Sequence, residues 1–197
     1  EIAEIAFHQH QKHPQMDLFT KSLATWTGGS GAAALLLVSS DVSDHGPKLL
    51  GSAQGTDSRW HQLCRWGVKT HDTLTDPASR EEFMETDAIG VLQHGVALGL
   101  QTWDRFLTEL NWHSSDVDRT ICHQVGSAHR LEILPSLGIS PDQDFITFPF
   151  LGNIGTVSIP MTAALAAERG VLLPGNKVAF LGIGSGLVCR MLAWEWR

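Results

Sequence analysis

The chain has 197 residues, 43% hydrophobic and 18% charged, which fits one ordinary globular domain. Its net charge of -7 and the lack of any run of lysines or arginines argue against a nucleic-acid backbone as partner, because that contact needs a basic surface. Three cysteines without C-x-x-C spacing indicate neither a disulfide framework nor a zinc site.

The sequence shows neither a membrane span nor a secretory signal. The longest apolar run, 32–38, is too short to span a bilayer, and the first residues are acidic where a secretory signal is basic. We therefore expect a soluble, cytoplasmic protein.

The first part of the chain predicts a helix, a glycine-rich turn and two strands. Apolar residues repeat at helical spacing over 1–13, and Pro14 ends that run. The glycine-rich segment 25–31 then precedes the continuous apolar run 32–38, which is typical of a buried strand. A second strand is predicted over 49–56.

The middle of the chain predicts one long amphipathic helix. Apolar side chains between Ser79 and Asn111 fall largely along one helical stripe. Gly90, Gly95 and Gly99 weaken this helix, since each costs about 1 kcal/mol relative to alanine in a helix interior. Close packing against another helix or backbone would explain these glycines.

The remainder predicts alternating strands and helices. In chain order we expect a β-type segment over 119–124, a helix from about Gly126, a β-type segment over 145–148, a helix from about Ser158 with Ser158 as its cap, a strand over 177–183 and a last strand through Trp196. This alternation makes α/β the natural fold class.

Two polar residues come at the ends of β-type segments that feed helices. These are His123 and Asn153, and open α/β sheets place their ligand groups at such positions. An imidazole N–H and a carboxamide NH₂ aimed at one carbonyl oxygen would stabilise an enolate or an oxyanion. A structural histidine and an ordinary Gly-Asn turn are the alternatives that the spacing leaves open.

The bend Gly184-Ser-Gly186 follows an apolar strand. Such a bend can aim a backbone N–H at an oxyanion, or it can open a dinucleotide-binding turn. Only 11 residues follow Gly186, which is too few for the helix and second strand of a βαβ unit. We therefore favour the oxyanion interpretation.

None of the three cysteines is predicted to be a nucleophile. Cys122 adjoins His123, and adjacent residues on a strand point to opposite faces. Cys64 follows His61 at helical spacing, and Cys189 lies in the last predicted strand. All three are interpreted as buried structural thiols.

No metal site is predicted. His8, His10 and His13 are close in sequence, but His8 and His10 lie on different faces of a helix. No carboxylate or cysteine is placed to complete a ligand shell, so surface histidines are the better interpretation.

Four segments carry a resemblance to a known family. They are Thr27-Gly-Gly-Ser-Gly-Ala-Ala-Ala34, Cys122-His-Gln-Val125, Gly152-Asn-Ile-Gly-Thr-Val-Ser-Ile-Pro160 and Gly182-Ile-Gly-Ser-Gly-Leu187. With them the chain resembles the C-terminal half of a thiolase-superfamily condensing enzyme of the ketoacyl-synthase III type. The resemblance is closer still to the OleA branch, which joins two fatty acyl-CoA thioesters head to head. It rests on the segments Leu63-Cys-Arg65 and 181–187.

The resemblance implies a thiolase-like fold, with layered α/β structure and a mixed sheet. Residues 1–40 would end the N-terminal half, and residues 41–197 would form the C-terminal half. The implied activity is acyl transfer by Claisen condensation of acyl-CoA thioesters, without a cofactor or a metal.

The resemblance also implies roles for particular residues. A cysteine in the family's N-terminal half takes the first acyl group, while His123 and Asn153 match the residues that bind the second thioester's carbonyl as its enolate forms. Ser185 falls where the family uses a backbone N–H for the acyl-enzyme's oxyanion. Further candidates for substrate binding are Gly184, Gly186, Phe148 and Arg65.

The chain departs from the family pattern in two respects. No cysteine falls at the nucleophile's place, which would precede Glu1, so this chain alone is expected to be inactive. We expect the Cys-bearing half as a separate chain or in the same precursor, and a dimer or heteromer that covers the exposed apolar face.

The second departure concerns the carrier of the acyl group. Ketoacyl-ACP synthases III typically read His-Gln-Ala-Asn, whereas this chain reads His123-Gln-Val-Gly126, and Ala128 stands where those enzymes use a basic residue for the carrier. Both differences favour CoA over a carrier protein. Candidate phosphate contacts are Arg65, Lys69 and Arg130.

Two other functions remain open at this point. One is condensation with a malonyl thioester, as in a ketoacyl-ACP synthase III. The other is a non-catalytic regulatory subunit of a condensing complex, which the absent nucleophile favours and the intact His123 and Asn153 disfavour.

Overall fold

The computed structural model describes residues 2–12, 14–70 and 80–197. Its α-helices are α1 (Ile2–Lys12), α2 (Met16–Trp26), α3 (Ala88–Leu110), α4 (Ser127–Ser136), α5 (Phe148–Leu151) and α6 (Ser158–Glu168). Its strands are β1 (Lys48–Thr56), β2 (Cys64–Thr70), β3 (Arg80–Thr86), β4 (Arg119–Cys122), β5 (Lys177–Gly184) and β6 (Val188–Glu195).

A four-stranded mixed sheet in the order β1-β6-β5-β4 organises the fold. β4 and β5 are parallel, whereas β6 is antiparallel to both β5 and β1. Cys122, the last residue of β4, pairs with Leu181, and the N–H of His123 donates to the Leu181 carbonyl at 2.8 Å. The carboxyl ends of β4 and β5 therefore lie at the same edge of the sheet, with His123 on that edge.

Both faces of this sheet are covered. Alternate residues of β5 point to opposite sides, so Ala179 and Leu181 join one buried cluster and Val178 and Phe180 join another. α3 and α4 contribute to the first cluster, and α6 contributes to the second. Burial on both faces explains why β5 is continuously apolar in sequence.

The long helix α3 packs closely against β1 and β6. A Cβ at Gly55 of β1 would overlap Thr102 Oγ1 of α3 and lie 3.0 Å from Leu98 Cδ1. On α3 itself, a Cβ at Gly95 would lie 3.0 Å from Ile183, and one at Gly99 would lie 3.2 Å from Ile133. The close packing predicted from these glycines is confirmed.

A separate two-stranded ribbon lies beside α1 and α2. β2 and β3 pair antiparallel, and Gln9 Nε2 of α1 donates to the Glu82 carbonyl at 3.1 Å. The helical interpretation of Cys64 is wrong, because Cys64 opens β2 and pairs with Thr86.

The predicted strand over 32–38 is wrong. These residues have no regular secondary structure, and the side chains of Leu35 and Leu36 are 60% and 88% exposed. A strand needs a neighbour to pair its backbone groups, and none of the described residues supplies one to this segment.

Two other predicted elements also need correction. The helix over 79–111 begins only at Ala88, because the Asp87 carboxylate accepts from the Gly90 N–H at 2.9 Å and caps it there, while 80–86 pair with β2. Segment 145–148 is not a strand but leads into α5, whose second residue is a proline that suits a first helical turn.

Gly55→Ala is expected to lower the free energy of unfolding by about 1–3 kcal/mol, since the added methyl must displace α3 from β1. Denaturant unfolding monitored by circular dichroism measures this change. Gly67→Ala is the matched control, because its Cβ would meet the Phe83 ring at an ordinary 3.4 Å. Equal stability of the two variants would contradict the packing described for α3.

Candidate functional site

His123 follows β4 directly and is half-buried at the sheet edge. The residue after it, Gln124, is only 2% exposed and ties two segments together. Its Nε2 donates to the Cys122 carbonyl at 2.7 Å, and its Oε1 accepts from the backbone N–H groups of Thr147 and Phe148 at 2.9 and 3.2 Å. Gln124 thus holds the segment that leads to α5 against the end of β4.

Asn153 lies in the loop between α5 and α6. Its backbone N–H donates to the Thr27 carbonyl, and its carbonyl accepts from the Gly29 N–H, both at 2.9 Å. Its side-chain Oδ1 accepts from the Gly155 N–H at 3.0 Å. Because only the oxygen of a carboxamide accepts a hydrogen bond, the Asn153 NH₂ group is the free end, and no described residue bonds to it.

A chain of hydrogen bonds connects His123 with the Asn153 loop. The Ser158 hydroxyl donates to the Gly155 carbonyl, and the same oxygen lies 2.6 Å from His123 Nδ1. Ser158 was expected to cap α6, but it is the first residue of the helix and its hydroxyl serves this link instead. The structure therefore brings the two predicted residues into one connected site.

Burial keeps this site electrically neutral. Burial, together with a smaller effect of the nearby His129, lowers the pKa of His123 to about 4. Burial also lowers the pKa of His129, whose Nε2 is buried without a hydrogen-bond partner in the described chain. Both imidazoles are therefore uncharged at neutral pH.

A narrow apolar cavity of about 30 Å³ adjoins His123. Its lining includes His129, Ile183 and the backbone of α3 at Gly95 and Gly99. A second cavity, of about 10 Å³, contacts His123 and Phe148. Hydrogen-bond donors act more strongly on developing charge in such water-poor surroundings than in bulk water.

A buried ion pair between Arg130 and Asp144 lies beside the second cavity. Arg130 Nε donates to Asp144 Oδ2 at 2.8 Å, and Thr120 Oγ1 donates to Asp144 Oδ1 at 3.2 Å. Arg130 is thus engaged with a buried carboxylate, although it was a candidate phosphate contact. The Cys122 thiol beside this cluster has its pKa raised well above the usual value by burial, which agrees with a structural cysteine.

The other predicted substrate contacts lie apart from the two cavities. Ser185 is exposed in the turn between β5 and β6, with Gly184 and Gly186 on either side. Leu187 anchors that turn through two backbone hydrogen bonds with Asp57, of 2.9 and 3.0 Å. Among the described residues that line either cavity, none of Ser185, Gly184, Gly186 and Arg65 occurs. Their roles stay predictions.

Two of the predicted phosphate contacts form ion pairs with a carboxylate on the β2–β3 ribbon. Arg65 and Lys69 both bind the Glu85 carboxylate, at 2.7 and 2.9 Å. These two ions lower the pKa of Glu85, and Lys69 contributes most. A phosphate at this place would have to compete with Glu85.

The described residues contain no group of three or more histidines, cysteines or carboxylates able to hold a metal ion. His10 Nε2 instead lies 3.2 Å from Ser22 Oγ, and His13 is outside the described residues. No helix in the described ranges is long and apolar enough to cross a bilayer.

Residues 107–196 match the family model for the C-terminal domain of 3-oxoacyl-[acyl-carrier-protein] synthase III, a segment that contains His123, Asn153 and Ser158. An acyl-CoA:acyl-CoA alkyltransferase of Shewanella oneidensis is 43% identical over the whole chain and 56% of its own length. The chain belongs to the thiolase-superfamily condensing enzymes. A beta-ketoacyl-[acyl-carrier-protein] synthase III of Natranaerobius thermophilus is 27% identical over 85% of this chain and 51% of its own length.

Solved structures of this family confirm the predicted thiolase-like fold. A crystal structure of Xanthomonas campestris OleA matches 99% of this chain and 53% of that chain with a TM-score of 0.86 and 30% identity. A 3-oxoacyl-(acyl carrier protein) synthase III of Xanthomonas oryzae matches with a TM-score of 0.84 and 29% identity, over 99% of this chain and 54% of that chain. The chain spans about half the length of the curated relatives it matches. The division of the chain at residue 40 stays a prediction.

Sequence reasoning missed Gln124, His129 and Ser158. Gln124 adjoins His123 and His129 lies in the following helix, but nothing in the sequence shows that Gln124 bridges two segments or that His129 faces a cavity. A small polar residue at a predicted helix start, as at Ser158, indicates a cap, whereas the structure shows its hydroxyl bonded to His123 and Gly155.

Gly29→Ala is expected to displace the Asn153 loop, because a Cβ at Gly29 would overlap the Leu151 carbonyl oxygen and lie 2.8 Å from Ile154. We expect loss of stability of about 1–3 kcal/mol together with loss of any activity that needs Asn153. Thermal unfolding and the backbone amide signals of 152–155 measure the two effects. Unchanged signals at Asn153 would contradict a supporting role for Gly29.

The stability of the protein is expected to fall as pH falls from 6.5 to about 4. In that window the unfolded chain protonates His123 while the folded chain keeps it neutral, so its contribution, about 3 kcal/mol, is complete above pH 6.5 and lost by about pH 4. Denaturant unfolding at several pH values measures the slope. His123→Gln should reduce that slope, and substitution of the exposed His45 should not.

Proposed function

We propose that this chain supplies the thioester-binding part of an enzyme that joins acyl-CoA thioesters by Claisen condensation. The observation that carries the proposal is the connected pair of His123 and Asn153: His123 presents a free ring nitrogen in neutral, mostly apolar surroundings, and Asn153 presents a free NH₂ group. A carbonyl that gains negative charge needs such a donor in such a place.

The proposed reaction forms a carbon–carbon bond between two acyl groups. The α-carbon of one thioester loses a proton, its enolate attacks the carbonyl of the other acyl group held on a cysteine, and that cysteine's sulfur leaves with the electron pair. In our proposal His123 and the Asn153 NH₂ group together stabilise the enolate oxygen. The backbone N–H of Ser185 would serve the oxyanion of the acyl-enzyme.

Several features support CoA thioesters as the substrates. The Shewanella relative, more similar than the ketoacyl synthase of Natranaerobius, is named an acyl-CoA:acyl-CoA alkyltransferase. Xanthomonas campestris OleA has been crystallised with lauric acid and lauroyl-CoA. In this chain, Ala128 stands exposed in the first turn of α4, where the family's carrier-binding enzymes have a basic residue. We propose acyl-CoA, with no cofactor.

A second polypeptide segment is part of the proposal. Large apolar side chains are exposed on α1, on α2 and in the irregular segment before β1, namely Phe7, Met16, Phe19, Leu23, Trp26, Leu35, Leu36, Leu37 and Val38. Exposed apolar surface of this extent marks an interaction site. We propose that a Cys-bearing segment covers it, in a dimer or heteromer located in the cytoplasm.

The test compares variants of the chain together with its Cys-bearing segment. His123→Ala and Asn153→Ala are each expected to lower the condensation rate with acyl-CoA about 10²- to 10³-fold, as removal of an oxyanion donor typically does. Release of CoA thiol and formation of the β-keto product measure the rate. His45→Ala is the control, because His45 is exposed on an irregular segment. Near-wild-type turnover of both site variants would exclude the proposal.

Condensation with a malonyl thioester is the second candidate, since the matching family model and several relatives belong to ketoacyl-ACP synthases III. Side-by-side rates with malonyl and simple acyl thioesters as the second substrate separate the two. A strong preference for the malonyl thioester would replace our first proposal with this one.

A further inference from the structure

The side chain of Gln124 forms three hydrogen bonds in the interior of the protein. Its Nε2 donates to the Cys122 carbonyl at 2.7 Å, and its Oε1 accepts from the backbone N–H groups of Thr147 and Phe148 at 2.9 and 3.2 Å. Only 2% of the residue is exposed, so these bonds are shielded from water. The proposed function above assigns no role to them.

The first of these bonds acts on the peptide unit between Cys122 and His123. The carbonyl of this unit accepts from Gln124 Nε2, and its N–H donates to the Leu181 carbonyl of β5 at 2.8 Å. Buried polar groups that have all their partners hold a rigid arrangement. Gln124 therefore completes the pair of bonds that fixes the backbone at His123.

The other two bonds fix the start of α5. Thr147 is the N-cap of this helix and Phe148 is its first residue. The first N–H groups of a helix have no partner within the helix, and here Gln124 Oε1 accepts from them. α5 has only four residues and is followed by Gly152 and Asn153, so a displacement at its start is passed on to Asn153 across one short turn.

The remaining contacts of the Asn153 loop act differently. Among the described residues, the hydrogen bonds of segment 27–29 lead to α2 and to Asn153, not to β4. Ser158 contacts the ring of His123 from α6, whereas Gln124 acts on the backbone before that ring. Gln124 thus joins the end of β4 directly to the helix that leads to Asn153.

We propose that Gln124 is a positioning residue that sets the separation between His123 and Asn153, because one end of its carboxamide fixes the backbone at His123 and the other fixes the start of α5. For its catalytic consequence the inference rests on the proposed function. Two groups stabilise one enolate oxygen together only at the right separation, and a displacement of about 1 Å can cost about 10²-fold in rate.

Gln124→Asn is the variant that tests this role. It keeps the carboxamide but shortens the side chain by one methylene, so it does not reach Cys122 and α5 at once. Gln143→Asn is the matched control. Gln143 also bridges two segments, since it donates to the Val117 carbonyl at 2.6 Å and accepts from the Ser140 N–H at 2.9 Å. Val117 precedes β4, so this bridge lies toward the end of the strand opposite to His123.

Kinetics of the condensing enzyme, with its Cys-bearing segment present, supply the first measurement. Gln124→Asn is expected to lower kcat about 10²-fold with little change in KM, since the bonds lost act on the groups that meet the transition state. Gln143→Asn should leave kcat near wild type, even where its loss of stability is similar. Full kcat in Gln124→Asn, or an equal loss of kcat in Gln143→Asn, would overturn the inference.

A double-mutant cycle separates positioning from general destabilisation. In the background of Asn153→Ala, Gln124→Asn is expected to cause a loss of kcat at least about tenfold smaller than in the wild type, because the donor that it displaces is already absent. A purely structural role predicts the same fold-loss in both backgrounds. That result would also overturn the inference.

NMR of the full-length protein tests the positioning without catalysis. The ¹⁵N signal of the Asn153 side-chain NH₂ group, identified with Asn153→Ala, is expected to shift in Gln124→Asn and to stay in place in Gln143→Asn. An unmoved signal in Gln124→Asn contradicts the proposed role. If the signal shifts but the wild type condenses no thioester, the proposed function fails while the positioning stands.

A second variant covers the case in which Gln124→Asn does not fold. Gln124→Glu has the same length, keeps acceptors for the two N–H groups at the start of α5 and loses the donor to Cys122. Gln143→Glu is its matched control, because it likewise loses only the donor to Val117. The same shift of the Asn153 signal is expected in Gln124→Glu alone, and its absence there would overturn the inference.

Discussion

The parallel pairing of β4 with β5 positions the central sheet and the residues at its edge. β5 is buried on both faces, so its position between α3 and α6 is set by two hydrophobic clusters at once. Pairing Cys122 with Leu181 then fixes the end of β4 and directs the chain at His123 toward the open edge of the sheet. Parallel strands place their carboxyl ends together, which is why the turn containing Ser185 also lies at this edge.

Around that edge, short polar contacts replace apolar packing. Gln124 holds the segment before α5, the backbone of 27–29 holds the Asn153 loop, and Ser158 links this loop to His123. The contacts of Gln124 and Ser158 satisfy buried donors and acceptors that would otherwise cost free energy. The same burial that makes these bonds necessary keeps both imidazoles neutral, so the site combines rigid polar groups with low charge.

The N-terminal part of the chain contains one segment that supports the site and one that is exposed. Thr27 and Gly29 form backbone hydrogen bonds with Asn153, whereas the apolar residues that follow are exposed. A segment that both supports the site and presents leucines outward suits an assembly in which further protein covers it. The chain spans about half the length of the relatives it matches.

Most of the regular elements could be predicted from the sequence, because their patterns are local. The helix before Pro14, β1, β4 and β5 were predictable because spacing, breakers and apolar runs act over a few residues. The motifs around His123 and Asn153 also identified the family. That 32–38 is not a strand could not be predicted from its local pattern, since a strand exists only with a neighbour to pair with. Nor could the bond between Ser158 and His123, because the two residues are brought together by folding across 35 positions and no local pattern encodes that contact.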